Sequence, residues 1–472
     1  DRFTGHLQQR PAAMTSTDTE ADVIVIGAGL SGLESALTLE ENGLRVTVLE
    51  GRRRIGGRLY SLFDLPGQPE VGGNTVSRAY GRVLAAAKRY GVEFDNVAPR
   101  YAAYPDRQEL FIGGEHISAA RWPDHPRNPF TGDARNLLPG AWGRTLLRRH
   151  RPFKDVENWH DDKHAAFDVS VHEFLRAQGA SDAQIALGYE TNMPYGTDSA
   201  HDVSVLQLAF VDHWQTINQR NTNTADTFTG VVRGGNQNLP LAMARRLRGD
   251  LLQGKAVTAI ELTDRNVQVL CSDGSRHRAK AVVCSIPFPV LRHVAIDPLP
   301  PPPQRRAIHL LGAKPITQFH LLPKRAFWED DGLSPAMWSD GISGSILANR
   351  DLENPARVTT LTVWCSARTA RYLDRFPQAE AGRLVIAEIE RLRPAARGAL
   401  QMAAVHSWER DPFAGGTWAI FGPGQVNPFV RSMSAPHGRL FFCGEHTAIA
   451  SRGMEAALES AERASLEVLA AL

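Results

Sequence analysis

An α/β fold built on a parallel sheet, buried on both faces, is predicted by three features near the start of the chain. Val23-Ile24-Val25-Ile26 is a β-branched apolar run bounded by glycine, the pattern of a strand covered on both sides. Gly27, Gly29 and Gly32 follow in the spacing G-x-G-x-x-G. Leu30, Leu33, Ala36, Leu37 and Leu39 then repeat at helical spacing until Gly43. A second apolar strand, Arg45 to Leu49, closes on Glu50.

Each part of this strand–turn–helix–strand unit has a task in holding a dinucleotide. Gly27 permits the tight turn, Gly29 lets the backbone approach a pyrophosphate at the helix N-terminus, and Gly32 lets helix and strand pack closely. Glu50 stands about 20 residues further on, where a carboxylate accepts hydrogen bonds from the adenosine ribose and disfavours a 2′-phosphate. A G-x-G-x-x-G alone is a weak signal. One that follows a strand, opens a helix and ends on an acid has the confirming context.

The composition bounds the rest. At 472 residues the chain exceeds what one simple core serves, so two domains are expected. A formal net charge of +2, with both signs scattered, leaves no nucleic-acid footprint. Cys271, Cys284, Cys365 and Cys443 are far apart and make no C-x-x-C, which suits buried reduced thiols better than disulfides or a metal site. Residues 1–20 are polar, and no apolar run reaches roughly 18 residues. No signal peptide and no membrane span are therefore expected, and the expected location is cytoplasmic. Arginine outnumbers lysine, as in proteins of GC-rich bacterial genomes.

The loop after Glu50 decides between dinucleotides. Glu50-Gly51-Arg52-Arg53-Arg54-Ile55-Gly56-Gly57-Arg58 fits E-x-R-x-R-x-G-G-R at every defined position. Here the chain resembles the flavin monoamine oxidase family, in particular bacterial amine- and nicotine-oxidase-like members with non-covalent FAD. The resemblance implies FAD, with Arg52 near the phosphates, Arg58 near the flavin end and Gly57 among the cofactor-binding residues. It also implies a Rossmann-like FAD-binding domain interleaved with an α+β substrate domain. Residues 18–95, 230–300 and 400–472 fall to the first and residues 96–229 and 301–399 to the second.

The remaining elements follow in the family's order. Glu70-Val71-Gly72-Gly73-Asn74 is similar to its second flavin loop, with Gly73 approaching the ring. Tyr80 to Tyr90 has helical spacing, whereas Pro99 to Pro152 shows no assignable periodicity. Ser170 to Gln178 and Ser181 to Tyr189 read as helices opened by N-cap serines. The stretch Pro194 to Leu206 resembles a wall of the family's substrate cavity. The resemblance places Tyr195 in that cavity and Phe210 and Trp214 on the helix lining it. Asn218 to Thr229 reads as a polar loop, and Val231 to Leu239 as the return to the FAD domain. Val257 is expected to read the adenine with its backbone. A hairpin is expected around Asp273-Gly274, then a buried strand from Ala281 to Ile286. Past the proline run Pro298 to Pro303, the segments 321–328, 357–364 and 380–392 read as strand, strand and helix. Trp408 to Trp418 resembles the last return to the FAD domain, with Trp408 as a cofactor contact. Gly444-Glu445 and the helix from Met454 resemble the C-terminal motif that meets the ribityl chain and the flavin's N1–C2=O edge.

Three positions depart from the family pattern. Thr417 stands where animal members attach FAD through cysteine, so non-covalent FAD is expected. Trp418 fits one of the two rings that channel the amine, but the second falls at Gly453, leaving one wall and more room. Counting from the proline run puts the family's lysine beside N5 at Thr317, with Lys314 three residues earlier.

The resemblance implies oxidation of an amine C–N bond by hydride transfer to flavin N5, giving an imine that water hydrolyses. Trp418, Thr317 and Tyr195 are the residues set nearest the chemistry. Oxygen or another acceptor reoxidises the flavin. An L-amino acid oxidase is the alternative, disfavoured because Gly72 to Ser77 holds no arginine for a substrate carboxylate. An amine dehydrogenase is the other, favoured if the lysine is lost. A homodimer is left open.

Overall fold

The computed structural model describes residues 21–103, 106–192, 197–220 and 228–472. The fold class is α/β, organised on two large sheets. The first has eight strands. At its centre Ala21–Ile26, buried at every residue, runs parallel to Val46–Glu50 on one side and to Arg276–Cys284 on the other. Its pleat divides the core. Val23 and Val25 join helices Leu30–Glu41 and Gly453–Ala471, while Ile24 and Ile26 join the cluster holding Phe288 and Phe442. A strand buried on both faces has to be apolar throughout, which is what the β-branched run supplies. Leu251–Gln253 extends the sheet beyond Val46–Glu50, and Leu440–Phe442 pairs with Arg276–Cys284, both in parallel.

The hairpin at Asp273-Gly274 forms between Val267–Cys271 and Arg276–Cys284. Gly274 takes φ +83°, a left-handed turn conformation. The second arm and the buried strand expected after it are one nine-residue strand. Its first half pairs antiparallel with the hairpin, and from Ala279 onward it also pairs with Ala21–Ile26.

The second sheet has seven strands, ordered Leu400–Ser407, Ile316–Pro323, Val358–Ser366, Ser345–Arg350, Met337–Ser339, Glu109–Ile112 and Glu115–Ile117. Two expectations are corrected here. Residues 400–407, assigned to the FAD-binding portion, form an edge strand of this second sheet. The strand read at 321–328 begins at Ile316 and ends at Pro323, and Phe327 opens the short helix Phe327–Asp331. Polar Thr317, Gln318 and His320 masked its first half, because all three are buried by tertiary neighbours rather than by periodicity. Thr317 pairs with Cys365 and Ser407, and Gln318 with Trp364 and His406. Successive strand residues face opposite ways, so these two sets lie on opposite faces.

Ser170 caps helix Val171–Ala177 by accepting from the Glu173 N–H at 3.0 Å. Ser181 and Gln184 form a reciprocal capping box on Asp182–Ile185, which continues into a π-helical turn, Ala186–Glu190. Helix Val205–Arg220 extends past Asn218, so the polar loop starts later than read, and residues 221–227 lie outside the described residues. All four cysteines are buried and free. Among the described residues no helix is long and apolar enough to cross a membrane.

Candidate active site

The C-terminal ends of the parallel strands open into a cavity of about 500 Å³. This is where a doubly wound sheet places a ligand. Gly27, at the end of the first strand, has φ +104°, and a Cβ there would meet Ser285 Oγ at 2.3 Å. Gly29 lines the cavity opposite Gly57, which has φ +59°. A Cβ on Gly57 would lie 3.2 Å from the Gly29 Cα, so the two glycines together leave a cradle of bare backbone. Gly32 does not line the cavity. A Cβ on it would meet the Gly27 carbonyl oxygen at 2.0 Å, so it serves the helix–strand packing read from its spacing.

Glu50 lines the cavity at the end of the second strand and is almost wholly buried. Its Oε2 accepts from the Ala28 N–H and its Oε1 from the Arg52 N–H, both at 2.8 Å. The carboxylate thus ties the glycine turn to the basic loop. Arg52 is held by Asp411 at 2.7 Å and lies over the Phe413 ring at 5.2 Å. Arg54 turns away from the cavity. It donates to the carbonyls of Gly57 at 2.8 Å and Leu59 at 3.3 Å, which fixes the loop's return. Val257 lines the same end of the cavity, beside Lys255.

At the far end Arg58 donates to the Thr417 carbonyl and to Glu445 Oε2 at 3.3 Å. Gly444 has φ +120° and gives its N–H to Ser460 Oγ at 2.9 Å. Gly73 has φ +76°, and a Cβ on it would press on Leu59 at 3.0 Å and on Met454 Sδ at 3.6 Å. Trp408 is buried and donates from Nε1 to the Val71 carbonyl at 3.1 Å, pinning the second glycine loop. Helix Gly453–Ala471 starts on the cavity wall at Gly453 and Met454, so its positive end points at whatever the cavity holds.

The residues assigned nearest the chemistry divide. Trp418 lines the cavity, with the Arg452 guanidinium 5.6 Å from its ring centroid. Gly453 lines it too, and a Cβ there would meet nothing within 4 Å among the described residues. Tyr195 lies outside the described residues. Thr317 is corrected. Its hydroxyl donates to Asp374 Oδ1 at 2.7 Å, and it lines a separate hollow on the opposite face of the sheet. Gln318 faces the cavity in its place. Lys314 does not line the cavity. It is fully buried, and burial pushes its ammonium down to about 7, opposed by Asp202 and Asp198.

Phe210 is also corrected. It stacks on Trp159 at 4.6 Å in the core, because its position on helix Val205–Arg220 faces the first sheet rather than the cavity. Trp214 packs edge-on against Tyr80 at 5.8 Å, and Tyr80 is the residue that lines the cavity. Trp364 and Tyr80 line the same cavity as Trp418 and Gly453.

Sequence reading missed the residues that tie the basic loop and the second glycine loop together. Asn236 gives its side-chain amide to the carbonyls of Gly73 and Asn74, the latter at 2.8 Å. Gln237 accepts from the Ser61 N–H at 3.1 Å and donates to the Ile55 carbonyl at 2.7 Å. Glu70 accepts from Ser61 and from the Asn236 N–H, and its burial pushes its carboxyl up to about 8. The one signal was the polar run Asn236-Gln237-Asn238 directly after two glycines.

A parallel sheet with a glycine turn, an acid closing the second strand, and a cavity running on to a helix N-terminus and a tryptophan wall defines a dinucleotide-dependent enzyme fold. The chain belongs to the flavin-containing amine oxidoreductases, whose family model matches residues 30–469. A flavin cofactor and oxidoreductase activity on amines come with that family. The flavin-containing amine oxidase of Danio rerio is 27% identical over 96% of this chain and 86% of its own length. Human flavin-containing amine oxidase B is 26% identical over 96% and 87%. An L-amino-acid oxidase from Echis ocellatus is more distant, at 21% identity over 96% and 90%. Among solved structures, cyclohexylamine oxidase from Brevibacterium oxydans superposes with a TM-score of 0.77 at 20% identity, covering 96% of this chain and 99% of that one. Putrescine oxidase bound to putrescine gives 0.72 at 20% identity, with the same coverage.

Proposed function

We propose that this chain binds FAD non-covalently and oxidises apolar amines, secondary or bulky ones included, at the carbon beside nitrogen. One observation carries the reading. A single cavity runs from the acid of a ribose site, Glu50, to an end walled by Tyr80, Trp364 and Trp418. The flavin supplies the electron chemistry. Glu50 has the position to accept from the ribose, and the Gly29–Gly57 cradle at the start of helix Leu30–Glu41 has the bare backbone that a pyrophosphate needs. The N-terminus of Gly453–Ala471 favours the charge that gathers on a reduced ring.

The aromatic end desolvates an ammonium group and so favours the neutral amine that gives up electrons readily. Before the proton leaves, the Trp418 face holds the cation. The open space at Gly453 suits the bulkier substrates. The attachment position supports a non-covalent cofactor, because Thr417 cannot form a thioether. Its hydroxyl donates to the Lys314 carbonyl at 3.0 Å. Lys255, the lysine that lines the cavity, stands at the Val257 end, away from the aromatic wall. That arrangement supports an acceptor other than oxygen for reoxidation. Acid precipitation of the yellow holoprotein tests the attachment. Flavin released into the supernatant is the expected result, and flavin retained in the pellet contradicts it.

One observation favours a second reading. The Arg452 guanidinium stands 5.6 Å from the ring centroid of Trp418, a lining residue, although Arg452 does not itself line the cavity; a substrate carboxylate that reached it would pair with it. Amino acids therefore belong beside simple amines in any substrate panel.

A further inference from the structure

Gln318 is wholly buried, and among the described residues neither its Nε2 nor its Oε1 has a hydrogen-bond partner. An unmet buried amide is costly, and folds keep one where something else completes it. Its surroundings say where that completion comes from. Gln318 lines the cavity, and its cross-strand neighbour Trp364 lines the same wall. Two residues earlier on the same face of the strand, Ile316 packs with Val71 and Trp408, and Trp364 and Trp418 pack against that cluster. This is the part of the cavity wall that holds the second glycine loop. The strand's parity turns Thr317 to the opposite face, where Asp374 and Ser407 occupy it.

We propose that Gln318 is a flavin-contact residue, its side-chain amide completing its hydrogen bonds on the polar edge of the bound isoalloxazine ring. The proposal rests on the flavin reading above. An amide suits such an edge because it donates from nitrogen and accepts at oxygen, and the ring presents both acceptors and an N–H. It brings no charge and does not titrate. In this chain the polar group of the second sheet that meets the cofactor is therefore neutral at every working pH.

Gln318→Leu tests this in the whole chain, with and without FAD. The apo variant is expected to melt above the apo wild type, because an unmet buried amide has been replaced by an apolar group. With FAD that advantage is expected to shrink. The variant is expected to bind FAD roughly three- to tenfold more weakly, the loss of one or two hydrogen bonds. Its oxidised visible band and its flavin midpoint potential shift as well. Gln318→Asn, which keeps the amide on a shorter stem, is expected to recover part of the affinity. Unchanged affinity, spectrum and potential in Gln318→Leu would overturn the proposal, as would equal melting shifts with and without FAD. So would a change confined to the KM of an amine, which assigns Gln318 to substrate instead. A wild-type chain that takes up no FAD sinks the flavin reading itself, and is distinguishable because no holoenzyme forms.

Discussion

Gly57 faces Gly29 so closely that a Cβ on Gly57 would stand 3.2 Å from the Gly29 Cα. The two belong to different loops, one the turn after the first strand and the other the end of the basic loop. Their approach makes the cradle in which a pyrophosphate can touch backbone. Gly57→Ala adds that Cβ and forces a left-handed conformation on alanine, at a cost of about 1–2 kcal/mol. FAD affinity is expected to fall at least about tenfold by fluorescence titration, with the apoprotein still folded. An unchanged affinity would remove the cradle from the account.

Glu50 works through charge. Its carboxylate accepts from Ala28 and Arg52 and has lone pairs left for a ribose. Glu50→Gln replaces one acceptor oxygen with a donor that meets a backbone N–H. Hydrogen bonds to a charged group are worth about 1.5–3 kcal/mol, so FAD binding is expected to weaken by about ten- to a hundredfold in calorimetry.

Glu70 predicts a pH signature. Its carboxyl is raised to about 8 by burial, above the 4.5 it has when unfolded. The folded state therefore holds the proton to higher pH than the unfolded chain does. The stability from this group is fully present below about 4.5 and is lost as pH rises toward 8. Glu70→Gln removes that slope. Apoprotein melting curves of wild type and variant should differ little at pH 4, with the variant melting higher at pH 8. A difference that does not grow with pH across this range would refute the assignment.

Gly453 predicts substrate size. Among the described residues nothing lies in its Cβ direction, so a ring can be added there, at the cost of a φ of +62° on a non-glycine residue. Gly453→Phe is expected to narrow the aromatic end. Bulky secondary amines should lose about 10- to 200-fold in kcat/KM, the range a hydrophobic pocket discriminates by. Small primary amines should be less affected in the same steady-state assay. Equal losses for both would show that the space does not select.

How much of this was legible in the sequence depended on the range of the interaction. Gly27, Gly29, Gly32 and Glu50 could be read because each answers a local demand: a turn, a close approach, a strand end. Ser170 and Ser181 were legible for the same reason, since a cap is decided within three residues. Thr317 failed because a strand gives no sign of which parity faces the cavity until its partners are known. A one-residue error there exchanges a residue bonded to Asp374 for one that lines the site. Phe210 failed because the apolar faces of its helix meet two different cores. Asn236 and Gln237 act on loops more than 160 residues away in sequence, which no local pattern reports. Among its described residues the stretch 99–152 holds 3-10 turns, strands of four and three residues and the end of the six-residue helix Ala98–Ala103, all too brief for periodicity to show, before the longer helix Pro139–His150.

The central claim is that an amine, oriented by the aromatic end of this cavity, reduces a bound flavin. Anaerobic mixing of the yellow holoprotein with separate panels of amines and L-amino acids tests it most directly. The readout is the oxidised flavin band near about 450 nm, a property of the cofactor itself. Apolar amines are expected to bleach the band, amino acids are expected to leave it, and air is expected to restore it slowly. Bleaching by amino acids alone would contradict the claim and make the substrate an amino acid.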